Sequence, residues 1–185
     1  MKRIHPRICQ IPASDPPLSA DVFIIEGDER YYVFDVGSCD EAYAVISALE
    51  KPVTVILSHF HRDHMGNMSR LTPAATLAGA RTLKHLTGGT LVDRPLAIHD
   101  GVDILVQPCV SPHAPGCLIA TVDGQYTLIG DLTYAYPGQK QGEAKGMLRT
   151  LQALDTRFFL PSHAKSNPLV EKAELLREIR ANLNI

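Results

Sequence analysis

The 185-residue sequence has no tryptophan, few aromatic residues and no long apolar run. A membrane span requires roughly 18 consecutive apolar residues, and a signal peptide requires an apolar segment that the N-terminal region lacks. We therefore expect a soluble, cytoplasmic protein without a membrane partner.

Charge of one sign is not concentrated anywhere in the sequence. The 18 basic and 20 acidic side chains give a net charge of −2, and neither sign forms a long run. Nucleic-acid arms and membrane-surface patches depend on clustered basic residues. The charge pattern therefore indicates no nucleic-acid partner and by itself names no other partner.

Paired cysteines are also missing, because the four cysteines form no C-x-x-C motif. The chain is larger than the small scaffolds that depend on disulfide bonds. We therefore expect mostly buried free thiols at all four positions, which are Cys9, Cys39, Cys109 and Cys117. The absence of repeats and of flexible linkers predicts a single domain over residues 1–185.

Short apolar runs in the first half predict strands. Residues 22–25 and 31–34 flank a polar, glycine-containing segment, which is typical of a hairpin. A helix is predicted to follow, with Asp40 as its N-cap and its end near Lys51. Residues 53–57 are almost entirely apolar and predict a buried strand.

The second half continues the mixture of strands and helices. Five strands are predicted before a helix at residues 143–154, and they cover residues 76–80, 96–99, 102–107, 117–122 and 125–129. A strand at residues 157–160 and an amphipathic final helix complete the chain. This order predicts an α/β fold with helices packed outside two sheets.

A cluster of histidines follows the predicted strand at residues 53–57. Side chains two residues apart in extended backbone point the same way, so His59 and His61 can approach one cation. Asp63 and His64 face a slightly different direction and could serve a second ion, as two-metal hydrolytic sites require. Without metal, such a cluster is hard to satisfy electrostatically. The sequence therefore predicts a metal site.

Residues 58–66, SHFHRDHMG, resemble the H-x-H-x-D-H-x-G signature of the metallo-β-lactamase superfamily. Other segments resemble conserved segments of the family and occur in the family's order over nearly the whole chain. They are Asp35 and Gly37, the turn at Asp100 and Gly101, the histidine loop at residues 111–117, Gly130 with Asp131, and residues 161–163. The resemblance implies a four-layer αββα sandwich with metal ions at one edge of the sheets.

The resemblance also implies two neighbouring metal sites. The first is expected to use three histidines, namely His59, His61 and His113. The second is expected to use Asp63, His64 and His163, with Asp131 bridging the two ions. Imidazole and carboxylate ligands suit zinc, the expected metal, and also iron or manganese.

Other residues are predicted to support these ligands. Asp35 is expected to accept a hydrogen bond from a ligand histidine or from the motif backbone, although a plain turn carboxylate is equally open. Tyr134 and Tyr136 follow Asp131 closely and could bind substrate or stabilise an oxyanion, or simply pack in the loop.

The sequence departs from the family pattern without losing a ligand. Three glycines of the pattern are replaced, by Asn67, Pro112 and Ala164. Cys117 stands where serine or threonine is frequent and is expected to pack in the core. The histidines that match no landmark, and so are not expected to be ligands, are His5, His85 and His99.

Two cations lower the pKa of a shared water, so the resemblance predicts a hydrolase that uses a dinuclear metal-bridged hydroxide. Asp63 is expected to orient that water or accept its proton. An aspartate at position 131 resembles the ligand set of glyoxalase-II-like thioesterases and lactonases. An ester-like small substrate, either a lactone or a thioester, is therefore expected.

Fold and metal do not by themselves identify a substrate, so other functions stay open. These are a mononuclear iron persulfide dioxygenase-like oxidoreductase, a phosphodiesterase-type hydrolase, and a metal-stabilised binding protein without turnover. His61 argues against a di-iron flavoprotein, which usually has glutamate there. A homo-oligomer could supply cleft walls that larger relatives build from insertions.

Overall fold

The computed structural model describes residues 1–134, 141–163 and 168–183. The first of its two sheets has seven strands in sequence order: β1 (Lys2–His5), β2 (Ile8–Ile11), β3 (Val22–Glu26), β4 (Tyr31–Phe34), β5 (Val53–Leu57), β6 (Ala75–Ala78) and β7 (Thr90–Leu91). Pairing is antiparallel from β1 to β4 and parallel from β4 to β7.

The second sheet has six strands: β8 (Leu96–His99), β9 (Asp103–Cys109), β10 (Cys117–Val122), β11 (Tyr126–Gly130), β12 (Phe158–Pro161) and β13 (Val170–Glu171). Their spatial order is β13-β12-β11-β10-β9-β8. Only β11 and β12 run parallel among these described strands. The helices of the described chain are α1 (Asp40–Ser47), α2 (Arg62–Met65), α3 (Ala80–Leu83), α4 (Gln141–Ala153) and α5 (Lys172–Leu183), with a 3₁₀ turn at Gly66–Ser69.

Three apolar clusters hold these elements in four layers. The central cluster lies between the sheets, where Phe34 and Ile56 of the first sheet meet Leu118 of the second. A second cluster joins the outer face of the second sheet to α4 and α5, and a third joins the first sheet to α1. Burial of apolar surface on both faces of each sheet therefore produces the predicted αββα sandwich.

Most predicted elements are present, with shifted ends. The helix predicted to start after Asp40 contains that residue in its first turn, because Cys39 occupies the N-cap position, and it ends at Ser47 rather than near Lys51. The strand predicted over residues 76–80 ends at Ala78, and Ala80 begins α3. The short elements β1, β2, β7, β13, α2 and α3 were not predicted, because two to four residues carry too little periodicity.

The cysteines agree with the expectation from the sequence. All four are free; Cys39, Cys109 and Cys117 are buried and Cys9 is half-buried. Among the described helices, none is both long and apolar enough to cross a bilayer.

Hydrogen bonds connect the two sheets near the start of β4, which is the end opposite to the segments that carry the predicted ligands. The Asp100 carboxylate accepts hydrogen bonds from Glu29 N–H at 2.9 Å, Arg30 N–H at 3.2 Å and the Tyr32 hydroxyl at 3.2 Å. The Asp100 carbonyl accepts a fourth bond, from Asp28 N–H at 2.8 Å. Burial, reinforced by this carboxylate, raises the pKa of Tyr32 to about 12. The turn after β8 therefore clamps the hairpin loop between β3 and β4.

Replacing Asp100 by asparagine tests this clamp. Desolvation opposes the effect, but the hydrogen bonds from Glu29, Tyr32 and Arg30 hold the pKa of Asp100 below its ordinary value. The charged form therefore stabilises the fold above the unfolded-state pKa of about 3.9, and this contribution is lost as pH falls through the lowered pKa. We expect Asp100→Asn to lower Tm at neutral pH and the difference from wild type to shrink in acid.

Thermal unfolding across this pH range measures both effects. Asp93→Asn is the matched control, because Asp93 is an exposed carboxylate with no hydrogen bond among the described residues. A Tm difference for Asp100→Asn that stays constant with pH would contradict the role of its charge.

Candidate metal centre

The seven predicted ligands come from four separate segments and meet in two adjacent groups. The first group contains His59, His61 and His113, and one ring nitrogen from each of these histidines lies within 4.8 Å of the other two. The second group contains Asp63, His64, Asp131 and His163, and one nitrogen or carboxylate oxygen from each residue likewise lies within 4.8 Å of the others. We call these the first and second clusters.

The first cluster is built around the end of β5. His59 is buried and follows Ser58 directly, His61 occupies the N-cap position of α2, and His113 lies in the loop between β9 and β10. His113 Nε2 lies 3.0 Å from His61 Nδ1. The three rings stand edge to face, with centroids 4.5 to 5.0 Å apart. This packing brings three imidazole nitrogens around one point.

The second cluster combines α2 with the ends of β11 and β12. His163 Nε2 lies 3.0 Å from Asp63 Oδ2. His64 Nε2 lies 3.5 Å from Asp63 Oδ2 and 3.3 Å from Asp131 Oδ2. Two histidines and two carboxylates therefore face one another over distances that an ion could span.

Asp131 lies between the clusters. Its Oδ2 is 3.7 Å from His113 Nε2 in the first cluster, and its Oδ1 is 3.7 Å from His163 Nε2 in the second. The side chain is 10% exposed, so protein surrounds it on most sides. The geometry agrees with the bridging position that the sequence predicts, while metal ligation itself stays a prediction.

Unsatisfied buried atoms test whether these residues fit metal ions. Within the part of the chain that the structure describes, His59 Nε2, His64 Nε2 and Asp131 Oδ1 are buried and form no hydrogen bond. An unsatisfied buried polar atom costs about 1–3 kcal/mol. Imidazole nitrogens and carboxylate oxygens are common ligands of zinc and of other transition metals. The donor set therefore fits two divalent cations.

The clusters differ in charge. Burial lowers the pKa of His59, and it also lowers the pKa values of His61 and His113. Burial opposes protonation of His64 as well, but the charge of Asp35, its hydrogen bond to His64 Nδ1 and the nearby charge of Asp131 raise the pKa of His64 to about 10. The first cluster therefore offers neutral imidazoles, while an ion entering the second must displace a proton.

Asp35 accepts hydrogen bonds from a predicted ligand histidine and from the motif backbone, the two partners expected from the sequence. Its Oδ2 accepts from His64 Nδ1 at 2.7 Å, and its Oδ1 accepts from the backbone N–H of Ser58 at 2.8 Å. The residue is fully buried, with φ at +58°. This conformation is uncommon outside glycine and costs on the order of 1–3 kcal/mol. Asp35 is therefore a structural support for the clusters and more than a turn residue.

Asn67, which replaces a glycine of the family pattern, has a clear structural role. Its buried side-chain amide donates hydrogen bonds to the carbonyls of Val36 and Cys39, both at 3.0 Å. The backbone N–H groups of Val36 and Gly37 donate to the carbonyl of His64 at 2.8 and 3.1 Å. These bonds fasten the loop after β4 to α2 and to the 3₁₀ turn that contains Asn67.

Tyr134 stands beside both clusters. Its ring centroid lies 6.5 Å from that of His113 and 6.2 Å from that of His163. The side chain is 46% exposed, and its hydroxyl donates a long hydrogen bond of 3.4 Å to the Ser162 carbonyl. Tyr136 and Ala164 lie outside the described residues.

Cys117 and the unmatched histidines lie outside the two clusters, in agreement with the sequence interpretation. Cys117 packs in the core against α4, and its thiol donates to the Ala114 carbonyl at 3.2 Å. His85 stacks on Phe60, with centroids 4.9 Å apart. Phe60 was not singled out in the sequence, although its position between two ligand histidines could have drawn attention to it.

A groove of about 920 Å³ lies beside the motif, between α2 and the segment that follows α3. Phe60, Arg62 and His85 line it, but none of the seven clustered residues does. The groove is therefore separate from the clusters.

Ser58 is the main residue that sequence reasoning missed. It belongs to the motif, but hydroxyl side chains are common at strand ends, so its position alone did not assign a role. Gly130, at φ +54°, leaves room for it: a Cβ built on Gly130 would lie 2.7 Å from both Ser58 Cβ and Oγ. Glycine at position 130 is therefore required twice, for conformation and for space.

Gly130→Ala and Gly124→Ala separate these two requirements. Gly124 also has a positive φ, +63°, but a Cβ there meets nothing within 4 Å. We expect Gly124→Ala to lower the free energy of unfolding by about 1–2 kcal/mol. Gly130→Ala should cost about 3 kcal/mol or more, since steric overlap adds to the strain. Urea unfolding measures both losses, and equal losses would contradict the close contact with Ser58.

Comparisons with known proteins agree with this geometry. Residues 15–85 match the profile of the metallo-beta-lactamase superfamily. A comparison with curated protein sequences gives no match. Residues 15–85 include the predicted motif but not the segments that carry His113, Asp131 and His163.

Solved structures extend the likeness to nearly the whole fold. ST1585, an archaeal metallo-beta-lactamase superfamily protein from Sulfolobus tokodaii, is 18% identical, with 95% of this chain and 86% of that chain covered and a TM-score of 0.73. DIM-1 metallo-beta-lactamase is 15% identical, with coverage of 99% and 95% and a TM-score of 0.77. The sec-alkylsulfatase Pisa1 from Pseudomonas sp. is 16% identical, with coverage of 98% and 40% and a TM-score of 0.77.

Identities this low establish the fold alone. The match over residues 15–85 adds sequence evidence at the motif itself. Together, the sequence match over residues 15–85 and the shared αββα fold make the chain similar to proteins of the metallo-β-lactamase superfamily.

Proposed function

We propose that the chain is a hydrolase that uses two divalent metal ions to cleave an ester-like bond, in a lactone or a thioester, of a small molecule. The superfamily consists mostly of hydrolases, which supports the reaction class in general terms. The observation that carries the proposal is the position of Asp131, whose Oδ2 lies 3.7 Å from His113 Nε2 of the first cluster and 3.3 Å from His64 Nε2 of the second. Zinc is the proposed metal.

Two cations bound at such a site would lower the pKa of a shared water and polarise the bond under attack. Within the chain, Asp63 is the proposed proton acceptor. Burial raises its pKa, but the hydrogen bond from His163 and the charge of His64 lower it below its ordinary value overall. The carboxylate is therefore ionised at neutral pH and can orient a water or take its proton.

Tyr134 is the proposed substrate-binding residue. Its exposed ring lies about equally far from the histidines of the two clusters, and its hydroxyl is held only by a long bond. Burial and the nearby charge of Asp131 raise the pKa of its hydroxyl, so it stays protonated and can donate a hydrogen bond. A substrate carbonyl that develops negative charge would accept such a bond.

The two complete clusters favour two ions over the single iron of a persulfide dioxygenase-like oxidoreductase. No contact among the residues that the structure describes favours a phosphodiester substrate. A cytoplasmic location, a small-molecule partner and a homo-oligomer stay predictions that this site does not test.

Metal content and reaction class can be measured together. We expect protein purified without added metal to contain about two equivalents of metal, mostly zinc, and to hydrolyse members of a lactone and thioester panel. His113→Ala and His163→Ala should each remove about one equivalent, because each deletes a nitrogen from a different cluster. Circular dichroism of both variants controls for folding.

Two outcomes would contradict the proposal. Metal-loaded protein that turns over no lactone, thioester or phosphodiester would favour a binding protein. One equivalent of iron with oxygen consumption on a persulfide would establish the oxidoreductase instead.

Tyr134→Phe tests the proposed substrate contact. Loss of one hydrogen bond in the transition state, about 1 kcal/mol, should lower kcat/KM by roughly fivefold to tenfold. Tyr126→Phe is the control, because Tyr126 begins β11 at the opposite end of the strand from Asp131 and stacks on Phe158. Unchanged kcat and KM in Tyr134→Phe would remove this hydroxyl from the reaction.

A further inference from the structure

Ser58 forms a buried junction between Asp35 and the first cluster. Its hydroxyl oxygen lies 2.7 Å from Asp35 Oδ2 and 2.9 Å from His59 Nδ1. Asp35 is fully buried, and Ser58 and His59 are each only 1% exposed. These short contacts therefore lie away from competing solvent, where hydrogen bonds are strongest.

Hydrogen-bond chemistry fixes the direction of each contact. An ionised carboxylate only accepts, so the Ser58 hydroxyl donates its hydrogen to Asp35 Oδ2. The Ser58 oxygen then has lone pairs left, and it accepts the N–H of His59 Nδ1. His59 is therefore held in the tautomer that leaves Nε2 without hydrogen, and Nε2 is the buried atom that lacks a hydrogen-bond partner among the described residues.

The same carboxylate oxygen also serves the second cluster. Asp35 Oδ2 accepts the N–H of His64 Nδ1 at 2.7 Å, which directs His64 Nε2 toward Asp131. The ring centroids of His59 and His64 are only 4.1 Å apart. One buried carboxylate thus orients a histidine of each cluster, His64 directly and His59 through Ser58.

Both sheets hold Ser58 in position. Its backbone N–H donates to Asp35 Oδ1 at 2.8 Å, and its carbonyl accepts from Leu118 N–H of the second sheet at 2.8 Å. Gly130 of the second sheet closes the space beside the side chain. The hydroxyl is therefore oriented by the sandwich and does not depend on a bound ion for its position.

We propose that Ser58 is a positioning residue that sets the tautomer of His59 and so transmits the orientation imposed by Asp35 to the first metal site. This inference rests on the two-metal premise of the proposed function but not on its substrate. Ser58 Oγ also lies 3.3 Å from His64 Nδ1, but His64 has the shorter contact, of 2.7 Å, with Asp35. Removing the hydroxyl should therefore weaken mainly the first site, because the bond between Asp35 and His64 remains. Removing the Asp35 charge should weaken both sites.

Zinc titration against a competing chelator tests this order. Hydrogen-bond partners of ligand histidines typically contribute 10- to 100-fold to metal affinity. We expect Ser58→Ala to lower the affinity of one zinc by about 10-fold or more while the other changes little, and Asp35→Asn to lower both. The matched control is Ser162→Ala, because Ser162 is a buried serine that directly precedes His163 but forms no side-chain hydrogen bond within the described chain.

The outcomes separate this inference from the proposed hydrolysis. Equal zinc affinities in Ser58→Ala and Ser162→Ala, or equal losses at both sites in Ser58→Ala, would overturn the role of Ser58 alone. A wild-type protein that binds no zinc would overturn it together with the two-metal premise. Wild-type protein that binds two zinc ions but hydrolyses nothing would reject only the proposed reaction.

A measurement on the wild-type chain avoids the case in which Ser58→Ala fails to fold. Long-range ¹H–¹⁵N NMR of the zinc-loaded protein reports which nitrogen of each histidine carries the hydrogen. We expect His59 and His64 to carry it on Nδ1. Hydrogen on Nε2 of His59 would overturn the inference.

Discussion

The Asp35 carboxylate is the contact on which the arrangement of this site depends. It lies at the end of β4 with a positive φ, fully buried, and accepts bonds from the Ser58 backbone, the Ser58 hydroxyl and His64. A buried charge without such partners would cost several kcal/mol, so the neighbouring donors are required for folding as well as for orientation. Because those donors lie directly after β5 and on α2, satisfying one carboxylate fixes the motif relative to the first sheet.

The rest of the centre follows from where strands end. The segments after β4, β5, β11 and β12, and the loop between β9 and β10, all reach the same edge of the sandwich. Backbone strain is concentrated there, with φ of +58° at Asp35, +54° at Gly130 and +59° at His163. Strained backbone persists only where surrounding contacts determine it, and the packed sheets supply those contacts. A rigid fold thus holds polar groups in positions that local preferences would not select.

The two clusters differ in the charge and protonation of their side chains. Histidines whose pKa values are lowered form the first, whereas carboxylates and histidines with raised pKa values form the second. Asp131 belongs to the second cluster but reaches toward the first, so the two cannot be perturbed independently through that residue. The Ser58 hydroxyl adds a second connection on the buried side. The two clusters therefore form one connected unit.

The sequence alone determined the residue types and their spacing: the motif at residues 58–66, the apolar strands beside it and the later landmarks at His113, Asp131 and His163. These followed from local patterns, since alternation and turn residues report strands and their ends. Only the tertiary structure decided that five distant segments converge, that Asp35 serves both clusters, and that Ser58 and Gly130 fit against each other. Such contacts depend on the distances between side chains of separate strands, and periodicity along one strand does not contain those distances.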